Sequence, residues 1–173
     1  MSAEAEVLDE LRRLRARLPQ LAGALAATVD GLVLAEETEQ RAPAPAGAPP
    51  LEPEPLAALT AAALGVAFRM NEAAGRGGFR ELLIHGELGY VATYAAGPSA
   101  VLTLLADDRI NVGRLHLEGR RCAARIGELA ALALHSAGPP SGPGPQPGTR
   151  TSGSGRSGAR APLERRRRSL PTP

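Results

Sequence analysis

The sequence predicts an α+β domain in which a helix, two strands, a second helix, three strands and a last helix follow one another. Three observations carry this expectation. Apolar residues recur at helical spacing in three separate segments. Apolar runs of strand length lie between those segments. The runs are joined by Gly-containing turns too short for a crossover, which makes sequential strands antiparallel.

Residues 4–18 read as an amphipathic helix: Val7, Leu8, Leu11, Leu14 and Leu18 share a spacing, with Arg12, Arg13 and Arg17 between them. Ser2 is placed to cap it, Glu4 and Glu6 suit its positive end, and Pro19 stops it. Two apolar runs then flank Asp30-Gly31, a pair that tolerates positive φ and marks a hairpin, so strands are expected at 21–28 and 32–36. Residues 37–55 are polar and Pro-rich and form a long flexible connection.

Pro55 suits the first turn of a second helix, 55–73. One stripe holds Leu56, Leu59, Ala63, Val66 and Met70; Leu64 and Phe68 stand on another; before Arg69 the only polar side chain is Thr60. A helix apolar on nearly all sides is buried on more than one side. One side can pack on the chain's own sheet, and the other then needs a partner. The pattern leaves open which stripe does which. The candidate dimer or partner interface therefore comprises Leu59, Ala63, Leu64, Val66, Phe68 and Met70 with Phe79 and Leu83 of the next strand, and its charged rim is Arg69, Glu72 and Arg76.

Gly75, Gly77 and Gly78 end the helix, and residues 79–85, 90–96 and 100–106 read as a three-strand meander. Asp107-Asp108 end the last strand. Asn111 can cap a third helix over about 111–134, with Val112, Leu115, Gly119, Cys122, Ile126 and Leu129 as its buried stripe. Arg114, Glu118, Arg121, Arg125 and Glu128 lie largely off that stripe. The domain is thus 1–136. Residues 137–173 are Gly, Pro, Ser and Arg with almost no apolar content, a composition that cannot offset its ordering entropy and is expected to be disordered.

Composition narrows the function. The 173 residues include two Phe, two Tyr and no Trp, too few for a base-stacking or cofactor-stacking surface. Every one of the 20 basic residues is Arg, and with 20 Gly and 16 Pro this reflects a coding bias, so Arg counts carry little functional weight. Residues 1–135 hold 13 Arg and 17 acidic residues, a net −4, while 136–173 hold 7 Arg and one Glu. The pI of 9.3 therefore belongs to the tail. The acidic N-terminus does not resemble a secretory signal, and no stretch nears the roughly 18 apolar residues of a membrane span. Cys122 is the single cysteine. A cytoplasmic protein is the expectation.

The order of elements resembles the roadblock/LC7 family. So do the strand–Asp-Gly–strand unit at 21–36, the Leu/Ala-rich second helix, and Gly89-Tyr90 at the start of a strand. The run over 100–126, where a strand leads through Asn111-Val112-Gly113 into the last helix, resembles the actinobacterial branch. The resemblance covers roughly residues 5–132. It implies a profilin- and longin-like fold with a five-stranded antiparallel sheet between helices. It also implies a homodimer formed through the second helix and third strand, a small Ras-like GTPase as partner, and a sensor kinase as a further one. The Pro-rich connection and the basic tail depart from the compact family pattern.

No motif points to catalysis. Residues 153–158, Gly-Ser-Gly-Arg-Ser-Gly, match a dinucleotide pattern that works only between a strand and a helix, which this region lacks. There is no phosphate loop of the NTPase kind. His85, His116 and His135 show no metal-ligand spacing, and Cys122 on an apolar stripe reads as a small buried hydrophobe. Ser99 lacks the following Gly of a nucleophile elbow. Glu36-Glu37 and Asp107-Asp108 are strand neighbours that point to opposite faces. No cofactor is expected. Arg165, Arg166, Arg167 and Arg168 read as a solubilising end, a contact for anionic surfaces, or a site directing phosphorylation of Ser169. The leading reading is a non-enzymatic dimeric scaffold for GTPase signalling. A small-ligand sensory domain and a nucleic-acid-associated protein acting through its tail are the alternatives.

Overall fold

The computed structural model describes residues 2–38 and 52–136. The elements are α1 (Ala3–Arg17), β1 (Leu21–Thr28), β2 (Val33–Thr38), α2 (Pro53–Ala73), β3 (Glu81–Gly86), β4 (Gly89–Ala96), β5 (Ala100–Asp107) and α3 (Val112–Ser136). The expected order is present throughout. Ser2 Oγ accepts from the Ala5 N–H at 3.3 Å, and Asn111 Oδ1 accepts from the Arg114 N–H at 2.9 Å, so both helix caps form from the residues the sequence offers.

The five strands form one sheet in the order β2-β1-β5-β4-β3, with every neighbouring pair antiparallel. β5 is central, which explains its nearly unbroken apolar sequence: both of its faces are covered. Ala100, Leu102, Leu104 and Ala106 join the core beneath α1 and α3, which also holds Leu11, Leu14, Leu115 and Ile126. Val101 belongs to a second cluster with Leu25, Ala57, Leu64 and Phe79, beneath α2. The sheet is thus sandwiched between two helices on one side and one on the other.

Several boundaries and burials differ from the sequence expectation. The connection expected at 37–55 is shorter at both ends. Glu37 and Thr38 extend β2, where Arg15 Nη1 donates to Glu37 Oε1 at 2.9 Å, and α2 begins at Pro53. What remains of that segment, 39–51, and the tail, 137–173, lie outside the described residues. The first hairpin is wider than a two-residue turn. Only Gly31 has positive φ (91°), the Thr28 N–H reaches the Leu32 carbonyl at 2.8 Å, and Thr28 Oγ1 bonds the Asp30 carboxylate. The third strand starts at Glu81 rather than 79, because Phe79 turns under the end of α2. Glu118, expected off the buried stripe of α3, is buried at 8% exposure, because Arg17 of α1 comes to meet it.

Candidate partner-binding surface

Ala57, Thr60, Leu64 and Ala67 form the buried stripe of α2. Their spacing of three and four residues keeps them on one face over the sheet. Thr60 is the polar member, and its burial is compensated: its Oγ1 lies 3.1 Å from Thr103 Oγ1, which lies 3.3 Å from Thr93 Oγ1. This hydroxyl chain links α2 to β5 and β4, on the face where Ala57, Leu64 and Ala67 pack on the sheet.

The rotation of α2 decides the question the sequence left open. Leu64 points inward at 3% exposure, whereas Leu59 (68%), Val66 (60%) and Met70 (65%) point outward. Ala63 is half-buried between them. Phe68 is exposed at 47%, and its ring lies 5.5 Å from that of Phe79. Of the expected interface, then, Leu59, Ala63, Val66 and Met70 share the outer side of the helix, while Phe68 flanks the buried stripe and leans on Phe79. Leu64 and Phe79 are buried in the chain's own core, and Leu83 packs half-buried against the other core cluster. The rim residues Arg69, Glu72 and Arg76 are all exposed.

The structure adds Ile84, half-exposed on β3, which is an edge strand. An edge presents unpaired backbone N–H and C=O groups along its length. The signal for Ile84 was available in the sequence, since it alternates with Leu82, but nothing in the sequence marked β3 as an edge.

A polar cluster joins α3 to β3 and β4. Arg120 donates to Glu81 through Nε and Nη2, both at 2.7 Å, and Tyr94 Oη lies 3.1 Å from His116 Nδ1. The Arg120 hydrogen bonds hold the Glu81 carboxyl below its ordinary value. Burial, with the Glu81 charge adding to it, pushes the Tyr94 hydroxyl up, so it is no phenolate nucleophile at neutral pH. The cluster ties α3 to β3 and β4. Burial likewise raises the Cys122 thiol to about 12, with Glu10 adding to the effect, as suits a packed side chain.

Among the described residues no three His, Cys, Asp or Glu side chains gather as metal ligands. His85 stacks on Tyr90 at 4.3 Å, away from His116; the His135 side chain lies outside the described set. No helix among the described residues is long and apolar enough to cross a membrane. A cavity of about 210 Å³ opens between α1 and the end of α3, lined by Val7, Leu34, Ala130 and Ala133. Its polar lining residues are Glu4, Thr28 and Ser99, of which the Thr28 hydroxyl is already bonded to Asp30 and to the Leu32 N–H at 2.9 Å.

This architecture recurs in known proteins. A structure of MglB in a tetrameric arrangement is similar at 26% identity, with 77% of this chain and 93% of that one covered and a TM-score of 0.68. The gliding protein MglB from Thermus thermophilus is similar at 25% identity over 77% and 94%, also with a TM-score of 0.68. A curated relative, the uncharacterised protein MJ0714 of Methanocaldococcus jannaschii, is 28% identical over 104 residues, which is 60% of this chain and 80% of the relative. The Roadblock/LC7 domain profile matches residues 7–106, more than half of the sequence. With its sheet order, its two helical layers and this match, the chain belongs to the Roadblock/LC7 domain family.

Proposed function

We propose that this chain is a non-enzymatic, homodimeric signalling scaffold that regulates a small Ras-like GTPase, from the actinobacterial branch of its family. The observation that carries the reading is the outer stripe of α2. Leu59, Val66 and Met70 are each at least 60% exposed on one helix, and Phe68 and Ile84 are exposed as well. Scattered exposed apolar residues are ordinary, but a row of large ones along one helix marks an interaction surface. The edge strand β3 can extend the same contact through backbone hydrogen bonds. The tetrameric arrangement of a similar MglB supports assembly between copies. The link to a GTPase rests on the family resemblance, as does a sensor kinase as a further partner. The Arg-rich tail adds a contact for anionic surfaces, outside the described residues.

The test is affinity for the Ras-like GTPases of the same cell, loaded with GDP or with a GTP analogue. A regulator prefers one form, since a ligand shifts only an equilibrium whose states it distinguishes. Equal affinity reduces the role to a passive scaffold. Absence of binding to every such GTPase removes the GTPase role and leaves the dimer to be judged by its own mass.

A further inference from the structure

Where α2 ends, a groove of about 590 Å³ opens between the α2–β3 connection and α3. Its apolar surface comes from Ala95, Ala124 and the edge of Phe79, with Tyr94 buried beneath. Its walls carry Arg76 and Arg80 from the connection and Arg120 from α3, beside Asn71 and one carboxylate, Glu81.

These arginines are not equivalent. Arg120 is held by Glu81 in a two-point hydrogen bond, which neutralises both groups locally. Arg76 and Arg80 are exposed and have no ion-pair partner among the described residues. Yet their backbone is fixed. Gly75, with φ 63°, closes α2 in a Schellman arrangement in which the Arg76 N–H reaches the Asn71 carbonyl at 2.9 Å and the Gly75 N–H the Glu72 carbonyl at 3.0 Å. The Arg80 carbonyl accepts from the Ala95 N–H at 2.9 Å. Two unpaired guanidinium groups are therefore held at the mouth of an apolar-floored groove.

The surrounding charge has the opposite sign. Residues 1–135 hold 13 Arg against 17 acidic residues, so an anionic partner is repelled by the domain as a whole and attracted here. We propose that this groove binds a short acidic segment of a partner protein, one that seats an apolar side chain over Ala95, Ala124 and the edge of Phe79 and sets flanking carboxylates on Arg76 and Arg80. The apolar floor favours a peptide over a free phosphate, which has no apolar surface to bury. The Phe68–Phe79 ring contact ties one wall of the groove to the flank of α2. The inference does not depend on the partner protein being a GTPase.

The probe is a fluorescein-labelled hexapeptide with a central Phe-Leu pair flanked by two Asp and two Glu, followed by fluorescence anisotropy with the full chain. Saturable binding that weakens with salt, and falls at least tenfold in the double variant Arg76→Glu/Arg80→Glu but not in Arg109→Glu, is expected. A peptide of the same charge with Gly-Gly at its centre should bind at least fivefold more weakly. Arg80 lies near enough to Glu81 to favour its charged form, so the neutral pair Arg76→Gln/Arg80→Gln is measured beside the charge reversal; it should melt close to the parent chain and still bind the probe at least fivefold more weakly. Unchanged affinity in the double variant, or no binding of the probe at millimolar chain concentration, overturns the proposal. Displacement of the probe by low-millimolar inorganic phosphate, with no difference between the two peptides, overturns it in favour of a phosphate site.

Discussion

Arg17 of α1 reaches across to Glu118 of α3, its Nε lying 3.2 Å from Glu118 Oε2. The same guanidinium places Nη2 3.2 Å from Glu10 Oε1, so one cation bridges two buried carboxylates. Beside this contact, Arg114 Nη2 donates to the Arg17 carbonyl at 2.9 Å. The helices that cover one face of the sheet are thereby tied at a polar seam as well as by their apolar stripes.

Replacing Arg17 by Leu should destabilise the domain by about 1–2 kcal/mol, below the ~3–5 of a fully buried pair. The reduction has two causes. Arg17 is itself 43% exposed, and each carboxylate keeps a second cation: Arg13 lies 3.5 Å from Glu10 and Arg121 lies 3.2 Å from Glu118. Urea unfolding measures the difference. No change in midpoint would show that the seam contributes only specificity.

Gly119 should resist substitution even by Ala. A Cβ there would sit 2.6 Å from the Tyr94 ring, and that ring is buried and hydrogen-bonded to His116. Overpacking of this kind costs ~1–3 kcal/mol, against a helix-propensity gain of about 1. Gly127→Ala should cost more, since its Cβ would meet the backbone of Ala96 and Gly97 at 2.9 Å, which cannot rotate away. Calorimetry of the two variants should rank them in that order; a stabilised Gly119→Ala would contradict the packing.

The two stripes of α2 should separate assembly from folding. Val66→Arg is expected to give a monomer by light scattering, with an unchanged circular dichroism spectrum. Leu64→Arg places a charge in the core and should cost at least ~3 kcal/mol or abolish folding. If Val66→Arg stays dimeric, the outer side of α2 is not the dimer face.

The Glu81–Arg120 strut should show in the acid limb of stability. The Glu81 carboxyl is held below its ordinary 4.5, mainly by the Arg120 hydrogen bonds. A carboxylate depressed in the folded state contributes stability above its unfolded value, and that contribution is lost as pH falls through the folded one. Glu81→Gln should therefore lower the melting temperature at pH 7 and flatten its decline below about pH 4.5. Parallel pH profiles for the variant and the parent chain would exclude the linkage.

Local chemistry made much of this fold legible. Ser2 and Asn111 cap helices because a short side-chain oxygen can reach the free N–H groups of a first turn, an interaction confined to a few residues. The strands were visible as apolar runs between Gly-containing turns, while their order in the sheet, β2-β1-β5-β4-β3, came from the tertiary structure. The surplus of apolar residues on α2 predicted a second face buried against a partner. What the sequence could not contain was the rotation of that helix. Leu64 and Val66 are equally apolar and two positions apart, and the packing of Ala57, Leu64 and Ala67 on Leu25, Ala27 and Val101, with the hydroxyl chain from Thr60 to Thr103 and Thr93, turns one in and the other out. Glu118 reads as a surface residue by helical spacing because Arg17, which makes its burial tolerable, is 101 positions away. Arg76, Arg80 and Arg120 were indistinguishable from a compositional excess of Arg until the fold brought them around one groove. Caps and periodicities are properties of neighbours in sequence; orientation, ion pairing and the groove arise from long-range contacts, which form only when the whole sheet does.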